Sequence, residues 1–145
     1  MSVIQLHRWI SKELTALGAE LAVGLAAGVA VAPPSHRERG VLGLFESMIW
    51  ALRHGGVLLS VHIALALIVW SLATFLVLSA WRARQTSLTL WLTVAWIGVS
   101  LAGLAGGSLV DGGGAPDSFF MILGALMSAL GSIAAWGLTA PRRED

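Results

Sequence analysis

The sequence predicts an all-α protein: a transmembrane four-helix bundle with a short amphipathic helix in the membrane interface. Composition is the first observation, because 57 % of the 145 residues are apolar and only 12 % are charged, against about 25 % charged in an average soluble chain. The second is the presence of four apolar segments near the roughly 20 residues that a helix needs to cross a bilayer. We therefore expect one integral membrane domain covering residues 1–145.

The four predicted spans are residues 14–32, 57–81, 88–110 and 118–140. The last three contain no Asp, Glu, Lys or Arg between these bounds. The first is less apolar, since it is rich in Ala and Gly and contains Glu20. If it does not span, the number of crossings falls to three.

The segment between the first two spans has helical periodicity of its own. Apolar residues recur at helical spacing, whereas charged residues fall seven apart at Arg39, Glu46 and Arg53. This pattern is typical of an amphipathic helix lying in the interface. The alternative is one long helix from about residue 40 to 81, kinked at Gly55 and Gly56.

Basic residues favour one orientation, because Lys and Arg are enriched on the cytoplasmic side. The short link between the third and fourth spans, residues 111–117, has none. The basic residues that favour a cytoplasmic location of both termini and of the second link are Arg8, Lys12, Arg82, Arg84, Arg142 and Arg143. We expect this arrangement in a bacterial cytoplasmic membrane, although Arg37, Arg39 and Arg53 would then lie outside.

Small residues recur four apart in three of the spans. Such stripes let helix backbones approach closely, within one chain or against another subunit. The predicted packing residues are Gly24, Gly28, Gly98, Ala102, Gly106, Gly124 and Ser128.

Glu20 is the charged residue that falls well inside a predicted span. A charged side chain at membrane depth is costly and often marks an ion or proton site. Glu20 is therefore a candidate proton or ion site. The alternative is a shallow position where it meets water or pairs with Lys12 or Arg84.

His62 is the candidate cofactor ligand, since imidazole binds haem iron and metals. Within the chain, Met121 is the candidate second ligand of a b-type haem, and a second copy of His62 is another. The alternative is a histidine that only hydrogen-bonds a neighbouring carbonyl. We expect Glu20 and His62 to lie about 15 Å apart along the membrane normal, with Asp111 and Asp117 closer to His62. No metal site is predicted, and cysteine is absent.

A resemblance extends from about residue 55 to residue 140. His62 early in one span, Gly106-Gly107 ending the next and Ser118-Phe-Phe-Met121 opening the last resemble small bacterial four-helix membrane proteins of no assigned function. The resemblance implies a four-helix bundle and no particular activity.

The sequence leaves three functions open, and none of them rests on an assembled catalytic site. The first is a non-catalytic accessory or assembly subunit of a larger membrane complex, or a homo-oligomer. The second is a haem-binding electron-transfer protein that uses His62. The third is a small proton-coupled transporter that uses Glu20. A nucleic-acid partner is not expected, because the net charge is only +1 and no basic cluster occurs.

Overall fold

A computed structural model describes residues 2–30, 41–110 and 114–140, and these residues form five helices. The helices are α1 (Val3–Ala30), α2 (Val41–His54), α3 (Gly56–Arg82), α4 (Thr86–Val110) and α5 (Ala115–Thr139). The predicted all-α class is confirmed for these residues.

Helices α3, α4 and α5 are long and apolar enough to cross a membrane. They indicate an integral membrane protein, and their bounds differ from the predicted spans 57–81, 88–110 and 118–140 by three residues or fewer. Helix α1 is long enough but is not among these three within the described residues. It differs from them in carrying Arg8, Lys12, Glu13 and Glu20.

Helix α1 begins at Val3 and is thus much longer at its N-terminal side than the predicted span 14–32. Its first turns alternate buried apolar residues with charged ones: Leu6 and Ile10 are buried, whereas Arg8 and Lys12 are exposed. An apolar stripe of this spacing forms a helix that packs along one face, with charges on the other.

Helices α2 and α3 are separate, because the chain breaks at Gly55 and Gly56. Gly56 has φ +76, in the left-handed region that favours glycine. The Ser60 hydroxyl donates a hydrogen bond to the carbonyl of Leu52 across this break, at 3.1 Å. The single kinked helix is therefore not formed. The charged periodicity is only partly described, since Arg39 lies outside the described residues.

The two remaining turns are short. Arg84 adopts φ 54 in the turn between α3 and α4, and its N–H donates to the carbonyl of Trp81 at 3.0 Å. At the start of α5, the Asp117 carboxylate accepts a hydrogen bond from the N–H of Gly114 at 2.9 Å. Asp117 thus caps its own helix, whereas Asp111 lies outside the described residues.

The four long helices contact one another in the cyclic order α1, α3, α4, α5 and back to α1. Helix α2 packs against α3 and α4. The interior holds a cluster of buried apolar side chains formed by Leu6, Ile10, Leu76, Ala80, Leu88, Leu92 and Ala135. The outer surface is also apolar, with Val57, Leu104 and Leu130 among its most exposed side chains, as suits a surface that faces lipid.

Helices α4 and α5 approach at the level of their backbones. A Cβ added at Gly98 would lie 2.5 Å from the carbonyl oxygen of Gly124 and from the amide nitrogen of Ser128. One added at Gly124 would lie 2.6 Å from the amide nitrogen of Ala102. Four residues of the predicted stripes therefore lie in this contact. Gly106 is less crowded, with the Met121 sulfur 3.9 Å from its Cβ position.

The stripe predicted on α1 is only partly packed. A Cβ at Gly24 would lie 2.7 Å from the His62 ring, whereas the Cβ position of Gly28 has no described atom within 4 Å. Gly28 is exposed, so the contact predicted for it within the chain is not found among the described residues. The stripe drifts off the packed face because four residues turn a helix by more than one full revolution.

Candidate functional site: ionisable side chains between α1 and its neighbours

Glu20 and His62 lie together between α1 and α3. The Nδ1 atom of His62 is 3.3 Å from the Oε1 atom of Glu20. The expectation that they are about 15 Å apart is wrong. Glu20 contacts His62 rather than Lys12 or Arg84, the alternative partners predicted for it.

The error has a physical cause in the register of α1. Because α1 begins at Val3 rather than near residue 14, Glu20 lies well inside the helix instead of close to its start. Helix α3 runs antiparallel to α1, with the Trp9 and Phe75 rings 5.5 Å apart near the other end of the pair. Glu20 therefore falls level with the first part of α3, where His62 is located.

The pair is mostly shielded from solvent. The exposed fractions are 23 % for the His62 side chain and 16 % for that of Glu20. Their 3.3 Å separation is that of an ion pair, although Nδ1 of His62 is not aligned for a hydrogen bond. Gly24, one turn after Glu20, leaves the space that the imidazole ring occupies.

A carboxyl and an imidazole at this distance can share a proton. Both side chains have a protonated and a deprotonated form, and Nδ1 of a neutral imidazole is a donor or an acceptor according to the tautomer. Ionisable residues inside membrane-spanning segments are rare and mark ion pathways and proton relays. The geometry therefore supports an exchangeable proton between α1 and α3.

Glu13 is a second acidic side chain that the sequence interpretation missed. It is fully buried, and the Ser132 hydroxyl of α5 lies against its carboxyl. The missed signal was its spacing, because residues seven apart lie on nearly the same face of a helix. Glu13 lies just outside the predicted span 14–32, and for this reason the span prediction does not include its seven-residue spacing from Glu20.

A third ionisable group lies near the start of α1. Nδ1 of His7 is 3.1 Å from the Thr139 hydroxyl of α5, and its ring lies 5.2 Å from that of Trp136. The Trp136 indole N–H donates a hydrogen bond to the Ser11 hydroxyl at 3.1 Å. His7, Glu13 and the Glu20–His62 pair thus follow one another along α1, and we call them the α1 row.

The candidate haem ligands lie on helices that are not neighbours in the cyclic order of the bundle. His62 belongs to α3 and Met121 to α5, and the backbones of these two helices do not approach closely among the described residues. Met121 instead lies beside Gly106 of α4. The His62 ring faces Glu20 and Gly24.

Comparison with known proteins adds no family to this geometry. No family model matches the chain. No curated protein matches it, and no solved structure matches it. The resemblance stated above therefore remains an interpretation of short motifs, and functional inference rests on the α1 row.

Proposed function

We propose that this chain is a small proton-coupled membrane transporter in which the Glu20–His62 pair binds a proton that crosses the membrane even without a second substrate. The observation that carries the proposal is the 3.3 Å contact between two ionisable side chains on helices that otherwise meet through apolar residues. Helix α3 is long and apolar enough to cross a membrane, and His62 lies about 9 Å inside its first residue at 1.5 Å per residue.

The proposal treats α1 as a fourth transmembrane helix beside α3, α4 and α5. Support comes from its contacts with α3 and α5. Helix α1 packs along these two helices, which are long and apolar enough to cross a membrane. Helix α2 is proposed to lie in the interface, and both termini in the cytoplasm of a bacterium, as the positions of Lys and Arg favour.

Proton binding at the pair follows from its two charge states. With one proton shared, Glu20 is a carboxylate beside an imidazolium, or both side chains are neutral. In either form the pair is neutral overall. A second proton gives a carboxylic acid beside an imidazolium, and this positively charged pair attracts anions and repels cations. Because this change of charge occurs where α1 contacts α3, proton binding there can alter the packing of the two helices.

Glu20→Gln is expected to reduce proton flux strongly while preserving the fold, because Gln keeps the shape but cannot titrate. The purified protein would be reconstituted in liposomes that contain a pH-sensitive dye and are driven by a potassium diffusion potential. We expect flux to fall by roughly a hundredfold, the lower end of what a positioned acid–base group contributes.

Glu46→Gln is the matched control, since Glu46 is exposed on α2 and should leave the flux unchanged. A Glu20→Gln variant that conducts like the unmodified protein would remove the transporter proposal. So would the absence of flux in the unmodified protein.

An accessory-subunit function is the second candidate, and one observation favours it. The Cβ positions of Gly18, Gly103 and Gly137 have no described atom within 4 Å, so small residues also occur on the outer surfaces of three helices. Small residues in such positions permit the close approach of another transmembrane helix. Purification in a mild detergent should then yield a complex larger than the single chain, and an isolated monomer would contradict this function.

A further inference from the structure

We infer that Glu13 is a second proton-binding site, which links the Glu20–His62 pair to the His7 end of the α1 row. This inference rests on the proposed proton-coupled function and assigns a specific residue to the middle of the path.

The first observation is an unusual set of buried oxygens. Both carboxyl oxygens of Glu13 and the hydroxyl oxygens of Ser128 and Ser132 are buried without a hydrogen-bond partner among the described residues. A polar group buried in this way is costly. Ser132 lies against the Glu13 carboxyl, and Ser128 is one helical turn from Ser132, on the same face of α5.

The two serines differ from other hydroxyls in these helices. Ser71 and Thr74 donate to the carbonyls four residues earlier, both at 2.8 Å, which is the usual arrangement of a helical hydroxyl. Ser128 and Ser132 do not complete this bond. Each hydroxyl is both donor and acceptor, and that of Ser132 lies against the carboxyl of Glu13.

The second observation is the position of Glu13 along the bundle. Glu13 lies seven residues before Glu20 and six after His7, which corresponds to about 10 Å and about 9 Å along the helix axis. Since Trp9 meets Phe75 and Glu20 meets His62, Glu13 falls level with Val69, near the middle of α3. The α1 row thus extends through the bundle in steps of similar length.

The third observation concerns charge. At the level of Glu13, α3 contributes Val69 and Ala73, which are buried and apolar, and α5 contributes the serines. The titratable or charged side chains of these two helices, His62, Arg82 and Asp117, lie at other levels.

On α1 itself, Lys12 is exposed and its Nζ lies 4.3 Å from the centre of the Trp9 ring. Glu20 is two turns away. No cationic side chain among the described residues therefore neutralises Glu13 at its own level, and a buried carboxyl without a cationic partner becomes neutral by binding a proton.

The transfer conserves protons at every step. The protonated Glu13 carboxyl gives its proton to the Ser132 hydroxyl oxygen, while that hydroxyl passes its own proton to a water molecule on the His7 side, which leaves a Glu13 carboxylate and a hydronium ion. A proton carried by water across the roughly 10 Å from the Glu20–His62 pair then restores the carboxylic acid. The Ser132 hydroxyl is unchanged after each transfer.

Dicyclohexylcarbodiimide labelling tests Glu13 without relying on transport, because this apolar reagent modifies protonated carboxyls inside membranes. The unmodified protein in liposomes would be treated over a range of pH, and labelling at Glu13 itself would be distinguished from labelling at Glu20 by fragmentation of the shared peptide in mass spectrometry. We expect labelling at low pH and its loss as the pH rises. No labelling of Glu13 at any pH would overturn the inference, and so would protection by Na⁺ at constant pH, which would indicate a metal cation instead.

Flux through Glu13→Gln completes the test and separates the two proposals. We expect this variant to fall to the level of protein-free liposomes, while Glu46→Gln retains flux. Normal flux in Glu13→Gln, with flux lost in Glu20→Gln, would overturn the role of Glu13 and leave the proposed function standing. Absence of flux in the unmodified protein would remove the proposed function, and the path through Glu13 would fall with it, whatever the labelling result. If Glu13→Gln does not fold, Ser132→Ala replaces it, and flux equal to that of the unmodified protein would then overturn the inference.

Discussion

Gly98→Ala is expected to destabilise the protein by about 2 kcal/mol, near the middle of the range for overpacking a tight contact. The added methyl would lie 2.5 Å from the carbonyl oxygen of Gly124 and the amide nitrogen of Ser128. Both are backbone atoms, so no side-chain rotation relieves the collision. Helices α4 and α5 would have to move apart and lose contacts along their length, because close approach rather than apolar burial holds helices together in a membrane.

Gly103→Ala is the matched control on the same helix. Gly103 is exposed, and its Cβ position has no described atom within 4 Å. The same substitution there should be neutral or stabilise by up to about 1 kcal/mol, since Ala favours a helix over Gly. Unfolding by dodecyl sulfate in mixed micelles, followed by circular dichroism, measures both variants. Equal midpoints would show that the α4–α5 contact is looser than described.

The sequence predicts α3, α4 and α5 well because a lipid-facing helix must be apolar on nearly every side. Their ends are set by residues that local chemistry explains, such as Gly56 and the Asp117 cap. Helix α1 is different, since its first turns carry Arg8 and Lys12 on the exposed side. A search for uninterrupted apolar residues therefore places its start too late, whereas the buried positions of Leu6 and Ile10 reveal the true helix.

The candidate site could be predicted residue by residue but not as an arrangement. Glu20 and His62 stand out in the sequence because ionisable residues are rare in apolar segments. Their contact depends on the register between α1 and α3. An error in the predicted start of one helix shifts the predicted register by about 1.5 Å for each residue. The role of Glu13 depends further on α5, since Ser132 identifies the carboxyl as part of a polar cluster, and no local pattern specifies that neighbour.

His62→Ala is expected to destabilise the protein by about 2 kcal/mol, because it leaves the Glu20 carboxyl without its partner and opens a gap beside Gly24. Glu20→Gln should cost less alone, since Gln retains a hydrogen-bonding group. If the pair interacts as its 3.3 Å distance indicates, the double variant should be more stable than the sum of the single effects predicts, by about 1 kcal/mol. The same dodecyl sulfate titration measures all three variants, and Glu46→Gln combined with His62→Ala is the control that should be additive.

Additivity within the Glu20–His62 cycle would show that the two side chains are neighbours without being coupled. An absorption spectrum of the same samples separates this proton site from the haem alternative. The proton-site proposal expects a colourless protein, and the spectrum tests this independently of the coupling energy, because a histidine paired with a carboxylate through Nδ1 can still bind iron through Nε2. A visible band that sharpens on reduction and disappears in His62→Ala would instead assign the imidazole to haem, and a shift of that band in Met121→Leu would identify Met121 as the second ligand. The coupling energy and the spectrum together therefore decide which chemistry the imidazole performs.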